Sequence, residues 1–505
     1  MKRLLSIVIP GLLMSSLYGQ DISDVTALGT TNLLGTARYQ AMSGAFGALG
    51  GDLSALNNNP AASAVFNYST FTFTGSIYQN RNVARFGNTT SVNRDTNFEL
   101  NQAGGVLVFN NRDQKSGWKK FSMGFNYDIQ TNFDNDIFIS GRGAQSVADY
   151  FIANANGFSP DDLSVLSGET ITDAYINIGN SLGYNAQQGF LGYQAFVINP
   201  SGSNSNTYVS NAILGSGLEQ EQRIITRGTD SKFTFNMGAQ HNSNLYMGIG
   251  INLHAVDRRK IVRFDEFNYD PDSPLQYVQF DNELLTFGSG FSANAGIIAK
   301  LGESLRFGAS YQTPTWYNLT DELWQAINTD LLNSDNGQVE LIEVYPDVIY
   351  RFPDYSIRIP SKYMASGAIV VGKSGLISMD YTYQDMSNAR LRPSNDPFFA
   401  EQNSLMNQEL KAVSSLRLGA EFRLGAWSFR GGYRFEETPY QNSNAIGDLT
   451  GYSLGAGINF GGSQLDFAWA TSDRDRNQAL YPNMNTQAGI NTELSNWVLS
   501  YSIKF

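Results

Sequence analysis

The sequence predicts an all-β protein, a transmembrane antiparallel β-barrel of about fourteen strands whose lumen is plugged by an N-terminal hatch. Three observations carry that expectation. Only 16% of the 505 residues are charged, against about 25% in ordinary soluble domains. Aromatic residues reach 13% and glycine numbers 49, yet the mean hydropathy is −0.26. Low charge and many aromatics without long apolar runs is the composition of strands whose lipid-facing and lumen-facing residues alternate. Finally, the C-terminal part of the chain alternates apolar and polar residues and ends on Phe505.

Lys2 and Arg3 precede an apolar run from Leu4 to Leu17, and Gly19 stands before Gln20 and Asp21. That order of charge, apolar run and small residue predicts a secretory signal peptide over residues 1–19. The run falls short of the ~20 residues a membrane-spanning helix needs. Residues 20–68 lack a strand pattern. Within them, Ala37–Pro60 is crowded with Gly, Ala, Ser and Asn, small residues that let backbone pack closely in a confined space. The expected division is signal peptide 1–19, hatch 20–68 and barrel 69–505.

The strands are clearest near the C-terminus. Leu416, Leu418, Ala420, Phe422 and Leu424 share one face against Arg417, Gly419, Glu421 and Arg423, and Gly425-Ala426 turns the chain. Trp427, Phe429, Gly431, Tyr433 and Phe435 follow, then the pair turning at Gly461-Gly462, then Trp497, Leu499, Tyr501, Ile503 and Phe505. Aromatics near strand ends suit the two membrane interfaces. Tight turns are expected at Asn110–Trp118, His241–Asn244, Leu301–Glu303, Lys373–Gly375, Gly425-Ala426 and Gly461-Gly462. Longer loops are expected at Asn80–Asn97, Asn132–Leu218, Asn268–Asp281, Thr315–Pro360, Met386–Glu409, Glu437–Leu449 and Asp475–Glu493. These connections alternate and leave an even number of strands, with both chain ends on the short-turn, periplasmic side. Loops 132–218 and 315–360 are the largest. Gln145–Ala155 and Pro160–Leu166 read as helical, and Leu319, Leu323, Ile327 and Leu331 recur every four residues, so both loops are expected to cap the barrel or to adsorb cargo.

Several chemistries are excluded. Without cysteine there is no disulfide, lipid anchor or thiolate, and His241 and His254 are the only histidines. A net charge of −12 disfavours nucleic acid, whose phosphates need clustered cations. Gly451-Tyr452-Ser453-Leu454-Gly455 fits the G-x-S-x-G hydrolase pattern, but that motif needs a strand-to-helix elbow, and here it opens a barrel strand. With no placed Ser–His pair, the expectation is no enzyme, no catalytic residue, no cofactor and no metal.

Gly47–Ala62 with Asn59-Pro60-Ala61, Arg358-Ile359-Pro360, Asp380–Asp385 and Leu416–Pro439 together resemble the long-chain fatty acid transporter (FadL-type) family of outer-membrane proteins. The resemblance covers about half the chain, at both ends. It implies a monomeric barrel in the outer membrane of a Gram-negative bacterium. There it would take up hydrophobic small molecules or lipids passively, through a hatch in which Gly50, Gly51, Asn59, Pro60 and Ala61 gate the path. It also implies exit either below the hatch or sideways through a kinked strand wall. An acidic head group would meet lumen cations. Arg38, Arg430 and Arg434 are the ligand-binding candidates, with Arg306, Arg417 and Arg423 also lumen-facing by alternation. Phe505 is expected to be read by the outer-membrane assembly machinery. The alternative function is a non-transporting barrel subunit of a protein export or assembly complex, with protein partners docking on the outer loops.

Overall fold

The computed structural model describes residues 21–505 apart from 114, 203–204, 216 and 334–335; the expected signal peptide lies outside the described residues. Fourteen antiparallel strands close into one barrel. They are β1 (Thr70–Phe86), β2 (Thr89–Asn110), β3 (Trp118–Asn132), β4 (Leu218–His241), β5 (Leu245–Phe267), β6 (Leu275–Leu301) and β7 (Leu305–Gln312 with Thr315–Leu332). The second half holds β8 (Tyr355–Ile359 with Lys362–Val371), β9 (Gly375–Asp385), β10 (Ala412–Leu424), β11 (Trp427–Glu436), β12 (Leu449–Asn459), β13 (Ser463–Gln478) and β14 (Ala488–Lys504). The ring closes where β1 pairs with β14, from Thr70↔Lys504 to Arg85↔Gly489.

The wall is polar inside and apolar outside. Phe71 and Phe73, Phe121, Met123 and Phe125, Phe233, Phe235 and Met237, and Ile249, Ile251 and Leu253 are exposed on the outer face. Their neighbours Thr72, Thr74, Ser122, Asn126, Thr234, Asn236 and Asn252 are buried toward the lumen. An exposed band of this composition is stable against lipid tails and not against water, so the barrel is a membrane barrel. No described helix is long and apolar enough to cross a bilayer.

Two breaks interrupt the wall. Pro314 splits β7 and Pro360 splits β8, each removing a ladder donor. The second break lies between β2 and β3. Their ladder runs from Asn110↔Lys120 only as far as Gln102↔Asp128. Beyond it β3 bulges at Ile129/Thr131 against β4 and resumes as Asn135–Gly143, paired to β4 alone. Between that extension and β2, Ser91 and Asn93 side chains donate to the Phe138 and Asp136 carbonyls at 2.6 and 3.2 Å.

Several loop expectations change. Asn80–Asn97 is not a loop: β1 and β2 continue to a tight turn at Gly87, whose φ is +57°. Thr315–Pro360 is not a single large loop either, because Thr315–Leu332 is strand and pairs with β6 from Trp316↔Phe291 to Leu331↔Leu275. The four-residue recurrence misled because four is a multiple of the strand period of two; Leu319, Leu323 and Ile327 share one buried face. Within the 132–218 connection, the expected helix over Gln145–Ala155 is present as α3 (Ala148–Ala155), Pro160–Leu166 is turn, and α4 (Ile171–Leu182) and α5 (Tyr184–Gln194) are additional. These helices enclose an apolar core with Phe151, Tyr175, Phe190 and Leu191 that rests on Phe280 and Ile327 of the barrel and on Tyr481 of the loop between β13 and β14. Gln325 of β7 ties the cap down by accepting from Tyr175 and Gln188, both at 2.8 Å.

Candidate functional site

Residues 21–68 enter the barrel as α1 (Ile22–Gly29), α2 (Ala37–Ala41) and two short 3-10 turns, Ser54–Asn57 and Pro60–Val65. What lets them approach the wall is a row of glycines on neighbouring strands. Gly238, Gly248 and Gly296 are directly paired across β4, β5 and β6. A Cβ on Gly248 would collide with the Pro60 carbonyl, one on Gly296 with the Asn59 side chain, and one on Gly238 with Ser63. A second seat forms where Gly419 and Gly432 face each other across β10 and β11 under Met42 and Ser43. Glycine is used here to let another backbone lie flat against the sheet.

Polar bonds fix the segment on those seats. Asn59 donates to the Gly47 and Ile297 carbonyls at 2.8 and 2.9 Å, while its Oδ1 accepts from the Ala61 amide at 3.1 Å. Gly50 and Gly51 have φ of +62° and +66° and fold the chain back on Ala62 and Val65. Asp380 of β9 accepts the Phe46 and Gly47 amides at 3.0 and 2.9 Å. Ala37 N–H donates to Ser500 at 2.7 Å, and the Ser43 and Ser453 hydroxyls lie 2.8 Å apart. Ser453, the centre of the G-x-S-x-G pattern, is thus a strand residue that helps hold the segment.

The three arginine candidates part company. Arg38 and Arg430 both bond Glu421, at 3.0 and 2.6 Å, and Arg430 also bonds Asp466 at 2.6 Å. Arg423 completes the cluster on Glu421. Arg434 has no carboxylate within ion-pair distance among the described residues; its guanidinium donates to Ser472 at 2.9 Å. Arg417 donates to the Tyr39 hydroxyl at 3.1 Å, and Arg306 to the Leu49 carbonyl at 3.1 Å. Sequence alternation placed the strand arginines in the lumen, with Arg38 at the start of the hatch, but cross-strand register decides which of them meet carboxylates.

Two cavities lie on either side of residues 23–34. The one toward the long-loop rim has a volume of about 400 Å³ and is walled by Phe133, Ile137, Ile224, Tyr440, Ile446 and Leu449 together with cations including Arg434 and Arg476. The other, of about 130 Å³, is lined by Leu34, Tyr39, Lys232, Lys362, Met364 and Arg417. Thr30 and Asn32 line both. This stretch also abuts the β2–β3 break: Asn32 N–H donates to the Gln130 carbonyl at 3.2 Å, and the Thr131 hydroxyl to the Thr30 carbonyl at 3.0 Å.

Docking of α1 depends on pH. Asp21 caps the helix by accepting the Ser23 amide at 2.7 Å. Burial, together with Asp24 beside it, pushes the Asp21 carboxyl up from 3.8 to about 7. The docked state therefore binds the proton more tightly than the undocked state. Docking is strongest below about pH 4 and weakens as pH rises through 7. Hydrogen exchange of residues 22–29, corrected for intrinsic rates, should be less protected at pH 8 than at pH 5, and Asp21→Asn should flatten that difference.

The sequence placed no Ser–His pair, and here the structure differs. His254 of β5 lies 3.3 Å from both Asp230 of β4 and Ser292 of β6, and Tyr317 donates to Asp230 at 2.7 Å. Four different strands supply the group, Tyr317 coming from β7, so no local motif announces it. The Asp230, His254 and Ser292 side chains are fully buried, Asn252 also donates to Ser292, and neither cavity reaches them. It is a satisfied polar knot in the wall.

An antiparallel fourteen-stranded membrane barrel with a segment of its own chain seated inside defines the class of protein. The chain has the FadL-type barrel fold. It resembles the crystal structure of a Pseudomonas aeruginosa FadL homologue at 13% identity, over 94% of this chain and 99% of that one, with a TM-score of 0.53. Coverage is the same for the Pseudomonas putida toluene transporter TodX, at 11% identity and a TM-score of 0.49, and for the Ralstonia pickettii toluene transporter TbuX, at 14% and 0.46. No family model and no curated protein matches the sequence.

Proposed function

We propose that the protein is an outer-membrane channel for passive uptake of hydrophobic compounds, with residues 20–68 as its hatch. The observation that carries this reading is the pair of cavities divided by residues 23–34. A compound adsorbed at the cap enters the larger cavity, where burial of each CH₂ is worth about 0.8 kcal/mol. When the hatch moves as one piece and takes residues 23–34 with it, the two cavities join. Onward exit is either sideways at the β2–β3 break or downward past Asn59-Pro60-Ala61. Gly50 and Gly51 supply the fold-back that lets the hatch seat as one piece. Phe505, exposed at the short-turn rim, is the end read by the assembly machinery. The FadL homologue named above shares the barrel architecture on which this reading draws.

The test is uptake of a radiolabelled hydrophobic compound into cells whose other such channels are deleted. Expression of the protein should raise uptake several-fold, and removal of residues 23–34 should change the rate further. Uptake equal to that of the empty cells would overturn the proposal.

One observation favours the alternative of a non-transporting subunit in an export or assembly complex. The Arg38–Glu421–Arg430–Asp466 cluster ties the hatch to the wall with a buried ion-pair network. In that case gentle extraction should bring down stoichiometric protein partners bound at the outer loops, and the barrel should hold no ligand.

A further inference from the structure

The protein as a whole carries a net charge of −12, yet the two cavities flanking residues 23–34 are lined by eight lysines and arginines against four carboxylates. The imbalance is sharpest in the larger cavity. There Arg258 is matched by Asp24 at 2.6 Å and Arg474 by Glu436 at 3.0 Å. Lys260, Arg434 and Arg476 line the same cavity and have no carboxylate within ion-pair distance among the described residues. Arg434 is 6% exposed, and its Nε, like that of Arg476, has no hydrogen-bond partner. Gly451 leaves the room through which the Arg434 side chain passes: a Cβ there would stand 3.0 Å from Nε. The two carboxylates on the cavity wall are engaged elsewhere, Asp134 with the Gly228 amide and Asp473 with Asn491.

A buried cation without a counter-charge, as Arg434 is, is costly, and a guanidinium fork is shaped for the oxygens of an oxyanion. A single carboxylate would answer one of the three. Resting on the transport reading and narrowing it, we propose that the larger cavity is a binding site for amphipathic compounds whose head group is a doubly charged oxyanion. The head sits against Arg434, Arg476 and Lys260, and the apolar body lies along Phe133, Ile224 and Ile446. A phosphate monoester and a dicarboxylate share this chemistry, and neutral hydrocarbons lack it.

The test measures binding to the purified, detergent-solubilised protein by native mass spectrometry and calorimetry, with dodecyl phosphate, dodecylsuccinate, dodecanoate, dodecan-1-ol and inorganic phosphate as probes. Dodecyl phosphate and dodecylsuccinate should bind at least about tenfold more tightly than dodecan-1-ol, a difference of about 1.4 kcal/mol, with dodecanoate between. Preference for only one of the two dianions would assign the head-group chemistry to phosphate or to dicarboxylate. Arg434→Gln and Arg476→Gln should each shrink the ratio of dianion to dodecan-1-ol affinity, and retention of the heat-modifiable gel shift shows that each variant folds. Equal affinity for alcohol and dianions, or a preference untouched by both substitutions, overturns the proposal while sparing the channel. Binding of inorganic phosphate as tight as that of dodecyl phosphate overturns the amphipathic part. No binding of any alkyl probe overturns the transport reading and this proposal with it.

Discussion

Gly248→Val is expected to lift Asn59–Ser63 off the wall and, with residues 20–68 acting as the proposed hatch, to make the barrel leaky. The hydrogen at this position is what allows the Pro60 carbonyl to rest against β5, and its neighbours Gly238 and Gly296 are equally closed to a side chain. Valine is at home in a strand, so the barrel ladder tolerates it and the strain falls on Asn59–Ser63. That turn then loses the bonds Asn59 makes to Gly47 and Ile297 and the one Asn236 makes to the Pro60 carbonyl at 2.9 Å. At about 1 kcal/mol per hydrogen bond, the loss of three such bonds and of close packing is enough to shift the segment off its seat. Planar-bilayer recordings should show stable ion conductance in the variant where the parent protein conducts little. Leu301→Val, at an exposed position on the outer face, is the control and should behave as the parent.

The second large effect is expected at Glu421. Its side chain is fully buried and receives Arg38, Arg423 and Arg430. Glu421→Gln keeps the shape and removes the charge, leaving Arg430 with Asp466 and Arg38 with Asp52 as the remaining counter-charges for three guanidinium groups. Removing one partner of a buried pair costs about 3–5 kcal/mol. The barrel should unfold at a clearly lower temperature on heated gels, and the Arg38 end of the hatch should become accessible to trypsin. A double replacement, Glu421→Gln with Arg430→Gln, should recover part of the loss because it lowers the excess positive charge.

The C-terminal hairpins, the fourteen strands and the outward apolar face could be read from the sequence because alternation has a period of two and the lipid enforces it on every strand. Where strands rise above the membrane that enforcement lapses. Residues 80–97 and 315–332 therefore read as loops although they pair along their whole length. The Asn-Pro-Ala turn was legible as a motif, and its seat was not. Gly238, Gly248 and Gly296 sit on three different strands and become a surface only through register. The same holds for the arginines: alternation put Arg430 and Arg434 in the lumen, with Arg38 at the start of the hatch. Only the successive pairing of β10 to β11, β11 to β12 and β12 to β13 sets Arg430 against Glu421 and Asp466 and Arg434 against Ser472. His254, Asp230 and Ser292 were individually unremarkable for the same reason.

The central claim is that the hatch must move for cargo to pass, and a reversible clamp tests it directly. The chain has no cysteine, and Ser43 of the hatch and Ser453 of β12 place their hydroxyls 2.8 Å apart, a spacing that two cysteine sulfurs can close with little movement. In the Ser43→Cys, Ser453→Cys protein, oxidation should stop uptake of the hydrophobic compound and reduction should restore it, with either single variant unaffected. Uptake that continues at the parent rate while the disulfide is fully formed would contradict the account.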